Sequence, residues 1–394
     1  MDAGQVDTLL SAAALALLDE LGPLASTDEA AGAVARLRKA GLPAELVAVV
    51  VSQARLRHRG IAKFGDSALD MLFTEHGLQQ ATRGDVAELH AARFRAAGFT
   101  SVADLGCGIG ADALAFARAG LAVRALDRDE PTARLAGYNL RRFPTATASA
   151  GVAEETDLAG VDGVWLDPAR RDGARRLADP DDWSPSLDFA FGLGRPTGVK
   201  LGPGIDRDLI PAGWEAQWVS ADGETVELVV WSPGLARDGV ARAALVLRGG
   251  TVHELTASAD SPDAAPGPLR EHLIEPDGAV IRARLIGDLA RSLGAHMVDP
   301  TIAYLTADGP VSTPFGATFR VREVLPLDVK AIRRTIHDRG IGVLEIKKRG
   351  VDIDPSEFRK RLAPKGPESA TLILTRVDGT RRAILAERLV TPTA

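Results

Sequence analysis

The sequence predicts an α/β protein with a mostly parallel central sheet, a helical N-terminal region and a C-terminal α+β region. Three observations carry this. Ser101–Leu105 is an apolar strand that runs into Gly106, Gly108 and Gly110 and then into a helical pattern from Ala111. Glycines at such a strand–helix corner let the backbone come close to a ligand. Leu121–Asp127 is a second apolar strand, ending in an acid about 20 residues after the glycine turn, where a ribose is held in nucleotide-binding folds. The length, 394 residues, exceeds one ordinary domain at about 150 residues each and implies two or three.

Composition narrows the function classes. A hydrophobic content of 45 % with 25 % charged residues is that of a soluble globular protein. The net charge of −6 excludes a polybasic nucleic-acid binder for the chain as a whole. The charge is uneven, however. Val311–Ala394 carries 17 Lys+Arg against 10 Asp+Glu, a net of +7, which leaves −13 for the remainder. A basic tail on an acidic body suits a polyanion-binding appendage. Cys107 is the single cysteine, so no disulfide framework or cysteine metal site is expected, and the seven histidines show no ligand spacing. No stretch reads as a membrane span. Val6–Leu21 contains Asp7, Asp19 and Glu20 and lacks a basic start, which argues against a signal peptide and for a cytoplasmic protein.

In chain order, residues 1–95 read as helices: Val6–Leu18, Thr27–Lys39 behind a Ser/Thr/Asp cap, and Leu46–Leu56. The basic patch Arg55–Gly65, with Arg59 and Lys63, follows as a solvated helix end or a substrate contact. Thr82 with Asp85 three residues on predicts a cap for the helix Val86–Ala97. After the glycine turn, helices over 111–119 and 131–142 alternate with strands over 121–127, 145–152 and 161–167. Pro196–Gly204 is a fifth strand, ending near Lys200. Trp214–Val219, Glu224–Ser232 and Ala241–Arg248 alternate as antiparallel strands closing the sheet. The Ser/Asp/Ala/Pro/Gly-rich segment from Ser258 is a linker. Beyond it come a helix over Ala279–Leu293, strands at Phe319–Pro326, Ile341–Gly350, Ala370–Arg376 and Ala383–Leu389, and helices at Asp328–Arg339 and Pro355–Leu362.

Asp104-Leu-Gly-Cys-Gly-Ile-Gly110 together with Asp127 resembles the cofactor site of class I S-adenosylmethionine-dependent methyltransferases. A dinucleotide dehydrogenase would show Gly-x-Gly-x-x-Gly instead. The resemblance implies a Rossmann-like sheet of seven, mostly parallel strands over 96–257. It implies S-adenosyl-L-methionine held by Asp104, Gly106, Cys107, Gly108 and Gly110, with the ribose on Asp127 beside Arg128. It also implies an acid near adenine, for which Glu154 and Asp157 both stand, and a methionine-end contact from Gln79 or Thr82. Asp167-Pro168-Ala169-Arg170 at the end of the fourth strand resembles the Asp/Asn-Pro-Pro-aromatic motif of methyltransferases acting on exocyclic amino groups of bases. That implies that Asp167 and the backbone after it orient the target nitrogen. Ala169 and Arg170 depart from the pattern, since the fourth position ordinarily stacks on a flipped base. Arg170 can stack through its guanidinium plane or bind phosphate. Methylation at pyrimidine C5 needs a cysteine nucleophile, and Cys107 lies in the cofactor turn.

The C-terminal region, 271–394, resembles THUMP-like domains behind bacterial methyltransferases, best at Gly340–Leu362 and Ala370–Val377. THUMP domains bind tRNA, so the resemblance implies an RNA partner, tRNA or rRNA. Arg59, Lys63, Arg171, Lys200, Lys347, Lys348 and Arg349 are the candidate nucleic-acid contacts. A small-molecule or protein methyltransferase, and a non-catalytic RNA-binding protein that keeps the cofactor site, stay open as alternatives.

Overall fold

The computed structural model describes residues 1–168 and 183–389, and between them the backbone of 171–172 and 175–176. The chain forms two compact units: Met1–Leu201 with Val230–Ala236, and Gly202–Val229 with Arg237–Ala394. Among the described residues no helix is long and apolar enough to cross a membrane.

The first unit opens with α1 (Ala3–Leu10), α2 (Ala12–Leu21), α3 (Thr27–Lys39) and α4 (Ala44–Phe64). The single helix expected over Val6–Leu18 is broken at Ser11, which turns extended and uses its hydroxyl to accept from Ala14 N, capping α2. Val6, Leu9, Leu18, Leu37, Val47 and Val50 form the core of this layer. The helix α4 runs on through the basic patch to Phe64. Next come α5 (Glu75–Gln80) and α6 (Gly84–Ala96). Thr82 does not cap α6; the cap position is Arg83, without a side-chain bond, because the Thr82 hydroxyl is drawn inward to a buried carboxylate.

The alternation that follows matches the expected α/β pattern: β1 (Ser101–Leu105), α7 (Ala111–Arg118), β2 (Ala122–Asp127), α8 (Glu130–Leu140), β3 (Ala146–Ala150) and β4 (Gly163–Leu166). The two-residue strands β5 (Arg171–Asp172) and β6 (Arg175–Arg176) pair with each other, and α9 (Leu187–Gly192) leads to β7 (Thr197–Leu201). In the second unit lie β8 (Glu215–Ala221), most of β9 (Glu224–Trp231), β10 (Arg242–Arg248) and β11 (Thr251–Ala257).

These build one sheet in the order β11-β10-β8-β9-β7-β4-β1-β2-β3, nine strands where seven were expected. The additional strands include β11, which returns antiparallel along β10. The segments β8 and β10 pair parallel, not antiparallel as their alternation suggests, because both are buried on both faces. The order changes direction at β1, whose neighbours are β2 on one side and β4 on the other. Ligands of open α/β sheets bind beyond the carboxyl ends of strands at such a point.

Under β4 and β7 lies an aromatic core of Trp165, Trp231, Phe94 and Phe116, with Trp165 and Trp231 centroids 5.7 Å apart. Asn139 of α8 ties the helical layer to the glycine turn: its amide donates to the carbonyls of Leu72 (3.0 Å) and Ile109 (2.8 Å) and accepts from Leu72 N.

The rest of the second unit contains β12 (His272–Pro276), α10 (Gly278–Arg282), α11 (Ile286–Leu293), β13 (His296–Asp299), β14 (Ile302–Ala307) and β15 (Gly316–Pro326). After these come α12 (Val329–Asp338), β16 (Ile341–Lys348), α13 (Pro355–Leu362), β17 (Glu368–Val377) and β18 (Thr380–Arg388). The helix expected over Ala279–Leu293 is two helices, parted where Arg284 adopts φ +57°. The strands form a seven-stranded sheet, β13-β14-β12-β15-β18-β17-β16. One face is covered by α12 and α13 through Ile332, Ile336, Phe358 and Leu362. On the other, Arg388 lies over the Phe319 ring and Arg349 over Tyr304, so these guanidiniums cover apolar surface with their stems.

Candidate active site

The site grows from the carboxyl ends of β1, β2, β4 and β7. Gly106, Gly108 and Gly110 all have φ between 55° and 88°, a region that other residues enter only with strain. The turn is pinned on β2, since Gly106 N and Cys107 N both donate to Leu126 O. Asp127 accepts from Gly108 N (2.9 Å) through one oxygen and from Asp129 N (2.9 Å) through the other. Burial pushes its carboxyl above the ordinary value, and the two N–H bonds work against that shift. Each oxygen keeps lone-pair capacity for a diol. Arg128 and Glu154 are exposed, Glu154 in a short 3₁₀ turn, and Asp157 accepts from Ala159 N. Gln79 is exposed in α5. Cys107 is buried beside Asp104 and Asp127; burial first, and then those charges, push its thiol well up, which makes it a poor nucleophile.

Asp104 is fully buried, and its Oδ2 meets no hydrogen-bonding partner within the protein. Burial, then the nearby Asp112 and Asp167 charges, raise its carboxyl well above the usual range and favour its neutral form. Asp112, in the first turn of α7, behaves in the opposite way. Burial would raise it, but the hydrogen bond and charge of His90, the charge of Lys200 and a hydrogen bond from Thr82 outweigh burial and hold it ionised.

A chain of contacts links Asp112 to the fourth strand. His90 Nδ1 lies 2.8 Å from Asp112 Oδ1 and donates to it, since Asp112 is a carboxylate. Thr82 Oγ1 donates to Asp112 Oδ2 (2.7 Å) and accepts from Lys200 Nζ (2.9 Å). Lys200 in turn forms an ion pair with Asp167. The imidazole is fixed by packing on Trp165, with centroids 4.3 Å apart. Asp167 is the group nearest the solvent in this chain, its side chain 36 % exposed against 11 % for Lys200. Its carbonyl also borders the glycine turn: a Cβ on Gly106 would stand 3.4 Å from it. Pro168 is buried behind it. Ala169 and Arg170 lie outside the described residues, as does the side chain of Arg171.

The structure thus brings together Thr82, Asp104, Asp167 and Lys200 with the glycine turn and Asp127. It adds His90 and Asp112, which the sequence reading missed. Each carried a signal: Asp112 is the one acid in the otherwise apolar first turns of α7, and His90 sits on the apolar face of α6.

The remaining basic candidates stand elsewhere. Arg59 pairs with Glu75 at 2.7 Å. Lys63 Nζ donates to the carbonyls of Leu78, Gln79 and Ala81 at 2.8–2.9 Å, closing the end of α5. Burial, then Lys200 and Arg83, lower its pKa to about 8. In the second unit Lys347 pairs with Glu275 at 2.7 Å, Arg349 covers Tyr304, and Lys348 is exposed on the other side of β16.

A cofactor with a ribose and an amino-acid end fits these residues on three counts. The left-handed glycine turn leaves its backbone bare, Asp127 offers a diol acceptor, and the orphaned buried Asp104 Oδ2 needs a polar partner.

Comparison with known proteins bears on the family and the fold. Residues 316–388 match the family described as THUMP domain-like, and residues 2–60 match a domain of unknown function. An uncharacterised S-adenosylmethionine-dependent methyltransferase of Mycobacterium tuberculosis, found in two strains, is 34 % identical over 349 residues, covering 83 % of this chain and 92 % of the relative. In fold, the chain is similar to a crystal structure from Porphyromonas gingivalis described as a methyltransferase. That match has TM-score 0.72 and 21 % identity, and covers 88 % of this chain and 91 % of the other.

Proposed function

The chain belongs to the S-adenosylmethionine-dependent methyltransferases, and from that premise we propose that it methylates a base nitrogen of RNA, tRNA or rRNA, in the cytoplasm. The observation that carries this reading is the position of Asp167-Pro168, at the carboxyl end of β4 against the glycine turn. Asp104, the turn Gly106–Gly110 and Asp127 would hold the cofactor, which when bound supplies a methyl group on a sulfonium.

The chain's own residues have little bond chemistry to perform. Asp167, as a carboxylate, accepts from the N–H of an exocyclic amine and turns the nitrogen lone pair toward the methyl. With the cofactor held there, the methyl would pass from sulfur to that nitrogen, and the proton the nitrogen gives up would leave to solvent past the partly exposed Asp167. Rate enhancement then comes mainly from proximity and alignment, the regime in which a fixed carboxylate matters most.

RNA is supported by the THUMP domain-like match and by exposed cations in the same region, Arg333, Arg334, Lys348 and Arg359. Phosphate contacts of this kind supply most non-specific affinity and weaken steeply with salt. The test is transfer of labelled methyl to total RNA from a strain lacking the gene, with the modified nucleoside identified by mass spectrometry. Incorporation into a base nitrogen supports the reading. Intact cofactor binding with no transfer to RNA would sink it, in favour of another acceptor or a non-catalytic role.

A further inference from the structure

Lys200 stands out because its position in the fold differs from what a phosphate-binding lysine needs. At the end of β7 its side chain is only 11 % exposed, and among the described residues its Nζ meets Asp167 and the Thr82 hydroxyl. The hydroxyl is itself committed to Asp112, and Asp112 to His90, which rests on Trp165. Thr82, Asp112, His90 and Trp165 are buried, and Lys200 is partly so. The chain therefore has a solvent-facing end at the carboxylate and an anchored end in the aromatic core.

We propose that Lys200 is a positioning residue for methyl transfer: anchored through Thr82, Asp112 and His90, it holds the Asp167 carboxylate charged and in a single orientation. This rests on the reading of Asp167 as the group that orients the acceptor amine.

The physical argument has two parts. First, Asp167 and Asp112 both act on the buried Asp104, so three carboxyls share one region. Like charges close together favour protonation of one of them, and a protonated Asp167 would present a donor where the amine needs an acceptor. An ammonium in contact opposes this. Among the described residues, other charged groups facing the region are Asp127, which acts on Asp104, and Lys63 of α4, which feels Lys200 and Arg83 through space.

Second, a lysine is flexible, and orientation requires that it be held. The Thr82 hydroxyl does this with one donor and one acceptor bond whose directions are set by Asp112. An ion-paired carboxylate is also a weaker base, which suits a group that aligns an amine without retaining its proton.

The test uses the full chain with Asp-selective ¹³C-carboxyl labelling, the Asp167 signal being assigned by its loss in Asp167→Asn. In the cofactor-free protein, Lys200→Met is expected to move the Asp167 titration midpoint up by about one unit or more. With cofactor and RNA, the same variant is expected to lower kcat by about tenfold or more, the scale of a small misalignment. The RNA KM and cofactor Kd should stay near wild type, and Lys200→Arg should recover part of kcat. Thr82→Val breaks the anchor without removing a charge; it should lower kcat in the same way and serves if Lys200→Met does not fold. An unmoved Asp167 midpoint in Lys200→Met would overturn the proposal. So would a rise in RNA KM with kcat intact, which would make Lys200 a phosphate contact. If wild type transfers no methyl to RNA, the substrate reading fails, and the titration still decides the role of Lys200.

Discussion

Gly198, in β7 two residues before Lys200, offers a quantitative test of how tightly the aromatic core supports the site. A Cβ placed there would lie 2.7 Å from Trp231 Cζ3 and 2.8 and 3.0 Å from two Trp165 ring atoms, where ordinary contact begins at 3.4 Å. In Gly198→Ala at least one indole must therefore retreat by about 0.7 Å. Neither has room, because Trp165 and Trp231 are at most 1 % exposed and are wedged against Phe94, Phe116 and His90. Overpacking of this kind costs about 1–3 kcal/mol. The conformational freedom that alanine removes from the unfolded strand offsets about 0.5–1 kcal/mol. The net expectation is a loss of up to about 2.5 kcal/mol, centred near 1 kcal/mol, read as a lower urea midpoint by tryptophan fluorescence. Transfer activity should fall further than stability explains, since the Trp165 ring that must move is the one that seats His90. A variant as stable as wild type would show that the core yields freely, and would refute the claim that it anchors the chain of contacts to Asp167.

Other expectations follow from the same geometry. Asp127→Ala removes the acceptor of Gly108 N and of a ribose diol; with hydrogen bonds to a charged group at about 1.5–3 kcal/mol, cofactor affinity by calorimetry should fall about a hundredfold or more. A change of only a fewfold would exclude Asp127 as the ribose acceptor. Asp104 has a folded pKa raised above its unfolded value, so the unfolded chain releases a proton that the folded chain keeps. Its contribution to stability is present below the ordinary value of about 4 and is lost as pH rises from there toward its folded pKa. Asp104→Asn, neutral throughout, should therefore flatten the rise in instability as pH increases above about 4 in urea titrations. A variant with the wild-type slope would show that Asp104 is ionised in the fold.

How much of this was legible in the sequence depended on the range of the contacts. Asp104, the three glycines and Asp127 form a local unit: strand, turn, helix and strand are consecutive, and the bond from Gly108 to Asp127 spans 19 positions. Patterning alone could therefore place them. The contact between Lys200 and Thr82 spans 118 positions and exists only because β7 and the turn before α6 meet in the fold. Sequence offered Thr82 a plausible local partner in the form of a helix cap, and the buried Asp112 won, because an unpartnered carboxylate in the core costs more than an unmade cap at the surface. Helical periodicity also missed the breaks at Ser11, whose hydroxyl caps α2, and at Arg284. Both lie in sequence runs that are uniformly helical in pattern, yet the backbone leaves the helix there. Lys347 and Arg349 read as part of a basic surface because charge can be counted in sequence, whereas Glu275 and Tyr304, which engage them, are distant along the chain.

The helix α7 begins at Gly110, the last residue of the cofactor turn, and carries Asp112 in its first turn. One short rigid body is thus a wall of the donor pocket and also the fixed point from which Thr82 and Lys200 are hung. With the cofactor on the glycine turn as proposed, its occupancy and the placement of Thr82 and Lys200 would be linked through α7. By linkage, whatever free energy the donor contributes to fixing α7 must reappear as tighter acceptor binding, and the reverse holds equally. The enzyme would then favour loading both reactants over holding either one alone, with no moving lid required to enforce it.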